Sequence, residues 1–128
     1  MKELALDTNV VIDILNGKAD TVKIVQQYDV LFLPITVIGE LLYGAKNSNK
    51  KEHNLLLFRQ FINKCEELGI NNVVAEEYAT VRLALKKLGR PIPENDIWIA
   101  AICKVNSLPL MTRDKHFNNI EGLEVVKI

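Results

Sequence analysis

Four carboxylates stand at positions where chemistry is possible. Asp7 lies in Leu4-Ala5-Leu6-Asp7-Thr8-Asn9, and Glu40 in Thr36-Val37-Ile38-Gly39-Glu40-Leu41-Leu42. Asp96 lies in Pro93-Glu94-Asn95-Asp96-Ile97-Trp98-Ile99-Ala100-Ala101, and Asp114 in Met111-Thr112-Arg113-Asp114. An α/β fold can bring each of them to one edge of a sheet. Gathered carboxylates repel one another, so such a cluster persists only when protons or a divalent cation neutralise it. Hard oxygen ligands favour Mg²⁺ or Mn²⁺. A magnesium pocket on a small α/β domain points to phosphoryl or phosphodiester chemistry. Other chemistries lack their signatures. The chain has no P-loop, no Gly-x-Gly-x-x-Gly, no His-Glu-x-x-His and no Gly-x-Ser-x-Gly. His53 and His116 are not spaced as a metal-ligand pair.

The elements that must carry these residues follow from the apolar pattern. Leu4-Ala5-Leu6 reads as a buried strand ending at Asp7, with Thr8 and Asn9 able to cap a helix whose apolar positions are Val10, Val11, Ile14 and Leu15. Asn16-Gly17 ends that helix. A second helix is expected over Asp20 to Tyr28, with Val22, Ile24 and Val25 inward. Val30 to Leu33 is the next strand, closed by Pro34, which suits the first turn of the helix carrying Glu40. Gly44 to Lys51 reads as a polar connection. His53 to Cys65 reads as a helix with Leu56, Leu57, Phe61 and Ile62 as its buried stripe. Gly69 and Ile70 to Val73 read as a short strand. Val74 to Leu88 is a helix ended by Gly89, and Arg90-Pro91-Ile92-Pro93 is a stiff extended connection. Glu94 to Val105 is a central helix, nearly continuously apolar from Ile97 to Cys103. Leu108 to Thr112 is a strand, Arg113 to Asn118 a turn or short helix, and Leu123 to Ile128 a last strand. Strands separated by helices predict a parallel sheet covered on both faces, a three-layer α/β/α sandwich. No repeat, low-complexity tract or long linker divides the chain, so residues 1–128 read as one domain.

Each carboxylate also has an ordinary structural explanation. Asp7 and Asp114 follow apolar strands, where ligands bind in open α/β sheets, but where turn and cap aspartates also occur. If the two strands are parallel neighbours, both emerge at the same edge. Asp96 falls in the first turn of its helix, where the macrodipole alone favours a carboxylate by ~0.3–1 kcal/mol. The stiff Pro91-Ile92-Pro93 approach and the apolar run beyond Asp96 favour a site. Glu40 has Thr36, Tyr43 and Gly44 as its helical-wheel neighbours, opposite the Ile38-Leu41-Leu42-Ala45 side, so local pattern reads it as solvent-exposed.

Composition sets wider bounds. At 128 residues, 48% hydrophobic and 25% charged, the chain has the make-up of a globular domain that needs no disulfide or structural metal to form its core. Cys65 and Cys103 are isolated and read as buried thiols of a reducing compartment. Met1-Lys2-Glu3 leads straight into the first strand, and no apolar run approaches the ~20 residues of a membrane span. The expected location is the cytoplasm, without membrane contact. Sixteen basic and sixteen acidic residues cancel. Their distribution is uneven, because no acidic residue falls between Tyr78 and Pro93, where Arg82, Lys86, Lys87 and Arg90 stand. Arg113, Lys115 and His116 crowd Asp114. Basic side chains beside an acidic pocket suit a polyanion whose phosphate meets a metal, although any single lysine there is more often an ordinary solvated charge.

Taken together, Asp7-Thr8-Asn9, Glu40, Pro93-x-x-Asp96-x-x-Ile99-Ala100-Ala101 and Thr112-Arg113-Asp114-x-x-Phe117 make the chain resemble PIN-domain nucleases, and more closely the VapC-type toxins of bacterial toxin–antitoxin pairs. The resemblance spans essentially the whole chain, and the last two stretches are its most diagnostic part. It implies an α/β/α sandwich, endoribonuclease activity dependent on Mg²⁺ or Mn²⁺, a homodimer, and a cognate antitoxin that wraps the toxin and blocks the acidic groove. On that basis Asp7, Asp96 and Asp114 are the expected metal ligands, Asp114 directly or through water, with Glu40 holding a water or a second ion. A metal-activated water would hydrolyse RNA to a 3′-hydroxyl and a 5′-phosphate. Asn9 and Thr112 are candidates to orient carboxylates or waters. Arg82, Lys86, Lys87, Arg90, Arg113 and Lys115 are candidates to steer RNA.

Rival readings remain at this stage. A haloacid-dehalogenase-type phosphatase wants a second aspartate where Asn9 stands. A receiver domain wants a phosphorylatable aspartate where the second strand ends in Leu33-Pro34. A PIN nuclease of RNA maturation or decay, or a non-catalytic protein-binding module on the same fold, satisfies the same residues.

Overall fold

A computed structural model describes all residues, Met1 to Ile128. Five short strands form one sheet: β1 (Glu3–Leu6), β2 (Val30–Pro34), β3 (Glu66–Leu68), β4 (Leu110–Met111) and β5 (Val125–Val126). Six helices flank it: α1 (Thr8–Leu15), α2 (Ala19–Val25), α3 (Ile35–Lys46), α4 (Lys51–Asn63), α5 (Asn72–Lys87) and α6 (Glu94–Val105). A 3₁₀ turn over Lys115–Asn119 joins β4 to β5. The expected three-layer α/β/α sandwich with a parallel sheet is the observed architecture.

Every strand pair is parallel, and the order is β3-β2-β1-β4-β5. The chain moves outward from β1 through β2 to β3, then returns across the sheet to β4 on the other side of β1. The order therefore reverses between β1 and β4, and a crevice opens at the carboxyl ends of these two strands. The register sets what stands there. Leu6 pairs with Met111, so Asp7 and Thr112 are the next residues out of the sheet, and the Asp7 amide donates to the Met111 carbonyl at 3.0 Å.

Burial explains this centre. Leu4, Ala5, Leu6, Leu110 and Met111 are all fully enclosed. A strand covered on both faces shows no alternation, only a continuous apolar run, which is how both segments read. Helix α6 supplies the other half of the core, with Ile97 and Ile99–Cys103 buried. Pro93 is its N-cap residue, with extended backbone. The helix thus begins where the proline-restrained connection ends. Gly17 and Gly89 take left-handed backbone (φ +71° and +67°) just beyond α1 and α5, a conformation cheap only for glycine.

Differences from expectation concentrate at the far edge. The edge strand is Glu66–Leu68, not Ile70 to Val73; Val73 is 61% exposed and already belongs to α5, which Asn71 caps by accepting from the Val74 amide. Leu56 is exposed, and α4 has no fully buried residue; Phe58 packs with Phe61 and Ile62 in the inward stripe. The second helix ends at Val25, three residues short of Tyr28. None of these shifts touches the β1–β4 crevice.

Candidate functional site

Asp7 leaves β1 in extended backbone and becomes the N-cap of α1, its Oδ1 accepting from the Thr8 amide at 2.8 Å. The cap is thus Asp7 itself, one residue before Thr8 and two before Asn9. Its other oxygen, Oδ2, accepts from Thr112 Oγ1 at 2.7 Å and from Asn9 Nδ2 at 3.3 Å. The carboxylate is only 3% exposed. Burial drives its pKa above the usual aspartate range, the charges of Asp96 and Asp114 push the same way, and the Thr112 and Thr8 hydrogen bonds oppose them.

Asn9 and Thr112 tie the ends of the two strands together. Asn9 Nδ2 also donates to Asp114 Oδ2 at 3.4 Å, while its Oδ1 accepts from the Arg113 amide at 3.1 Å. Thr112 Oγ1, donating to Asp7, accepts from the Asp114 amide at 3.1 Å. Asp114 is exposed at the mouth. Asp96 sits half-buried in the first turn of α6, its Oδ2 at 2.7 Å from His116 Nε2. Burial raises its pKa, with Asp114 adding to the effect and His116 opposing it.

Glu40 is half-buried rather than solvent-exposed. Its Oε1 is enclosed with no hydrogen-bond partner, as are the hydroxyls of Thr8 and Thr36. Burial raises its pKa, the nearby charges of Asp7 and Asp96 raise it further, and the Asn95 and Thr8 side chains beside the carboxyl group oppose them. The Glu40 side of α3 faces Asp7 and Asp96, a juxtaposition between elements that the helix's own wheel does not carry.

None of the four carboxylates has a lysine or arginine in salt-bridge contact; the one such partner is His116. A charged set, mutually destabilising and lacking a fixed cation, with a buried orphan oxygen, is chemically suited to a divalent ion. The donor atoms of Asp96, Asp114 and His116 lie within 4.8 Å of one another. Spacing along the chain does not reveal His116, because no local pattern links it to Asp96, twenty residues away.

The basic candidates divide. Arg113 turns from the crevice: its Nε pairs with Asp13, and its Nη2 donates to Thr21 Oγ1 at 3.0 Å, with Asp20 at 3.8 Å. Arg82 donates to the Tyr78 hydroxyl at 2.8 Å, and that hydroxyl donates to Glu94 at 2.7 Å, while the Tyr78 ring stacks on Trp98. Arg90 donates to Asn119 at 3.3 Å. Lys86, Lys87 and Lys115 are exposed and form no salt bridge. Lys115 borders an open cleft of about 480 Å³ that runs from Asp114 to Asn118 and Lys127. Burial pushes the Cys103 thiol up to about 12 and the Cys65 thiol up to about 11, which disfavours the thiolate at both.

With this geometry in hand, known proteins give it a context. The family model described as PIN domain matches residues 4–123. The chain is 28% identical over 128 residues to the tRNA(fMet)-specific endonuclease VapC of Shigella flexneri, covering 96% of each protein. Among solved structures, VapBC-1 from nontypeable Haemophilus influenzae superposes with a TM-score of 0.89 at 28% identity, covering 98% of this chain and 97% of that one. The DNA-bound VapBC from Salmonella typhimurium does so with a TM-score of 0.87 at 25% identity, covering 99% and 98%.

Proposed function

The chain belongs to the PIN domain family, and from that premise we propose that it is a metal-dependent endoribonuclease, the toxin of a toxin–antitoxin pair. The observation that carries this is the convergence of Asp7, Glu40, Asp96 and Asp114 at the β1–β4 switch point without a lysine or arginine to balance them. Relatives named as VapC endonucleases, and structures of VapBC complexes at 25–28% identity, support the same reading.

Asp7, Asp96 and Asp114 would hold Mg²⁺ or Mn²⁺, which supplies a Lewis acid and a water of lowered pKa. The remaining work belongs to the chain. Thr112 and Asn9 fix the Asp7 carboxylate and hold Asp114 beside it, so the ligands need little reordering. Glu40 Oε1 is the free acceptor of the site and is suited to orient the attacking water or take up its proton. Lys86, Lys87 and Lys115 steer the RNA backbone, with Arg82 and Arg90 at the α5 side; Arg113, balanced by Asp13 and Asp20, does not take part. The products are a 3′-hydroxyl and a 5′-phosphate. The 128 residues act as one nuclease domain, working as a homodimer and silenced by an antitoxin. No helix of the chain is long and apolar enough to cross a membrane, which accords with work in the cytoplasm.

The test is cleavage of total cellular RNA by purified protein, with Mg²⁺ or with EDTA, beside Asp7→Asn and Asp96→Asn. Discrete cuts that need the ion and both aspartates are expected. Cleavage of equal rate in the variants would sink the proposal.

A further inference from the structure

One nitrogen at the carboxylate edge has no part in the mechanism above. His116 Nε2 lies 2.7 Å from Asp96 Oδ2, and it shares the 4.8 Å donor group with Asp96 and Asp114. Asp7 adjoins that group through Asn9, whose Nδ2 donates to both Asp7 Oδ2 and Asp114 Oδ2. The imidazole is held in place. It belongs to the 3₁₀ turn that starts directly after Asp114, and it packs on the ring of wholly buried Phe117 at a centroid distance of 4.9 Å. Its side chain is 31% exposed, so an ion can reach it from solvent.

Resting on the carboxylate metal centre proposed above, we propose that His116 is a nitrogen ligand to the ion held by Asp96 and Asp114, and that it makes this site prefer Mn²⁺ to Mg²⁺. Two neighbouring donors on an octahedral ion, each at roughly 2.1 Å, sit roughly 3 Å apart, close to the separation here. Ligation takes the neutral ring with its proton on Nδ1. The Nε2 lone pair and the Asp96 carboxylate then meet at the ion instead of at a shared proton. Magnesium favours oxygen donors and retains its waters, whereas imidazole suits transition ions, so one nitrogen shifts selectivity toward manganese.

The experiment is pulsed electron paramagnetic resonance of the Mn²⁺-loaded full chain, read for ¹⁴N coupling, with calorimetric titrations of Mn²⁺ and Mg²⁺. The chain has two histidines, and His53 lies exposed on α4, so His53→Gln serves as the control. Wild type and His53→Gln are expected to show nitrogen coupling. His116→Asn should lose it and weaken Mn²⁺ by about tenfold or more, with a smaller loss for Mg²⁺. His116→Asp should restore Mg²⁺ binding without the nitrogen signal. Mn²⁺ that binds through Asp96 with no nitrogen coupling in wild type would overturn the inference and leave His116 a residue that only orients Asp96. Mn²⁺ that fails to bind wild type, or binds Asp96→Asn equally well, would overturn the metal centre itself. The wild-type spectrum decides the ligand question even if a variant folds poorly.

Discussion

Two acidic clusters flank residue 113, and they are built oppositely. On one side Asp13 and Asp20 of the α1–α2 hairpin meet the Arg113 guanidinium and the buried Thr21 hydroxyl. On the other, Asp7, Glu40, Asp96 and Asp114 meet no guanidinium or ammonium at all. The Asp20 carboxyl lies below its usual range, held there by the Thr21 amide and then by Arg113, while Asp7, Glu40 and Asp96 are all raised. The balanced cluster is a fastener: it ties the backbone between Thr112 and Asp114 to two helices. The unbalanced one is a socket, whose missing charge must arrive from outside. The same short stretch thus spends its one arginine on structure and leaves its aspartate for chemistry.

The sharpest way to break that contrast is in the socket. Asp7→Asn or Asp96→Asn should lower RNA cleavage by about a hundredfold or more while leaving the melting temperature unchanged or slightly higher, because each removes a destabilised charge. Single-turnover kinetics beside a thermal melt checks both halves.

The fastener should respond in reverse. Arg113→Ala leaves Asp13, whose side chain is 14% exposed, without its partner, and is expected to cost about 1–3 kcal/mol in urea unfolding. The Arg113→Ala/Asp13→Ala double variant should recover part of that loss. An additive double variant would mean the pair contributes nothing as a pair.

A smaller effect tests the raised carboxyls. Groups with raised folded-state pKa values bind more protons when folded, so their contribution is fully present below the ordinary values of 3.8 and 4.5 and is lost as pH rises through the folded values. Stability of the metal-free protein should therefore decline from this source as pH rises above that range. Saturating Mn²⁺ should flatten the decline. Urea titrations from pH 4 to pH 8 with and without the ion decide it, and identical profiles would count against a metal at these residues.

The smallest effect belongs to the lysines. Lys115→Ala should reduce the slope of log affinity against log salt by about one for RNA binding to the inactive Asp7→Asn protein. An unchanged slope would remove Lys115 from the RNA path.

Legibility followed the same division as burial. Asp7 and Asp114 are readable because Asp7 directly follows, and Asp114 closely follows, an apolar run that a fully enclosed strand explains. Glu66–Leu68 was not, because an edge strand with a single buried residue needs no apolar run, and the neighbouring Ile70 and Val73 offered a stronger signal while standing 45% and 61% exposed. Leu56 misled in the same way. The apolar pattern records which residues tolerate burial, and at the margin of a small fold some of them stay in water.

The sequence alone determined the layered parallel architecture, the central strands, and helix α6 with Asp96 in its first turn. These follow from local propensities and from the cost of burying polar groups, both written along the chain. Only the tertiary structure decided that Glu40 faces the crevice, that Arg113 turns to Asp13, and that His116 meets Asp96. Those outcomes depend on which side chains approach across the sheet and between helices. Pairing of charges at 2.7 to 4 Å is set by packing in three dimensions, which spacing along a chain does not encode.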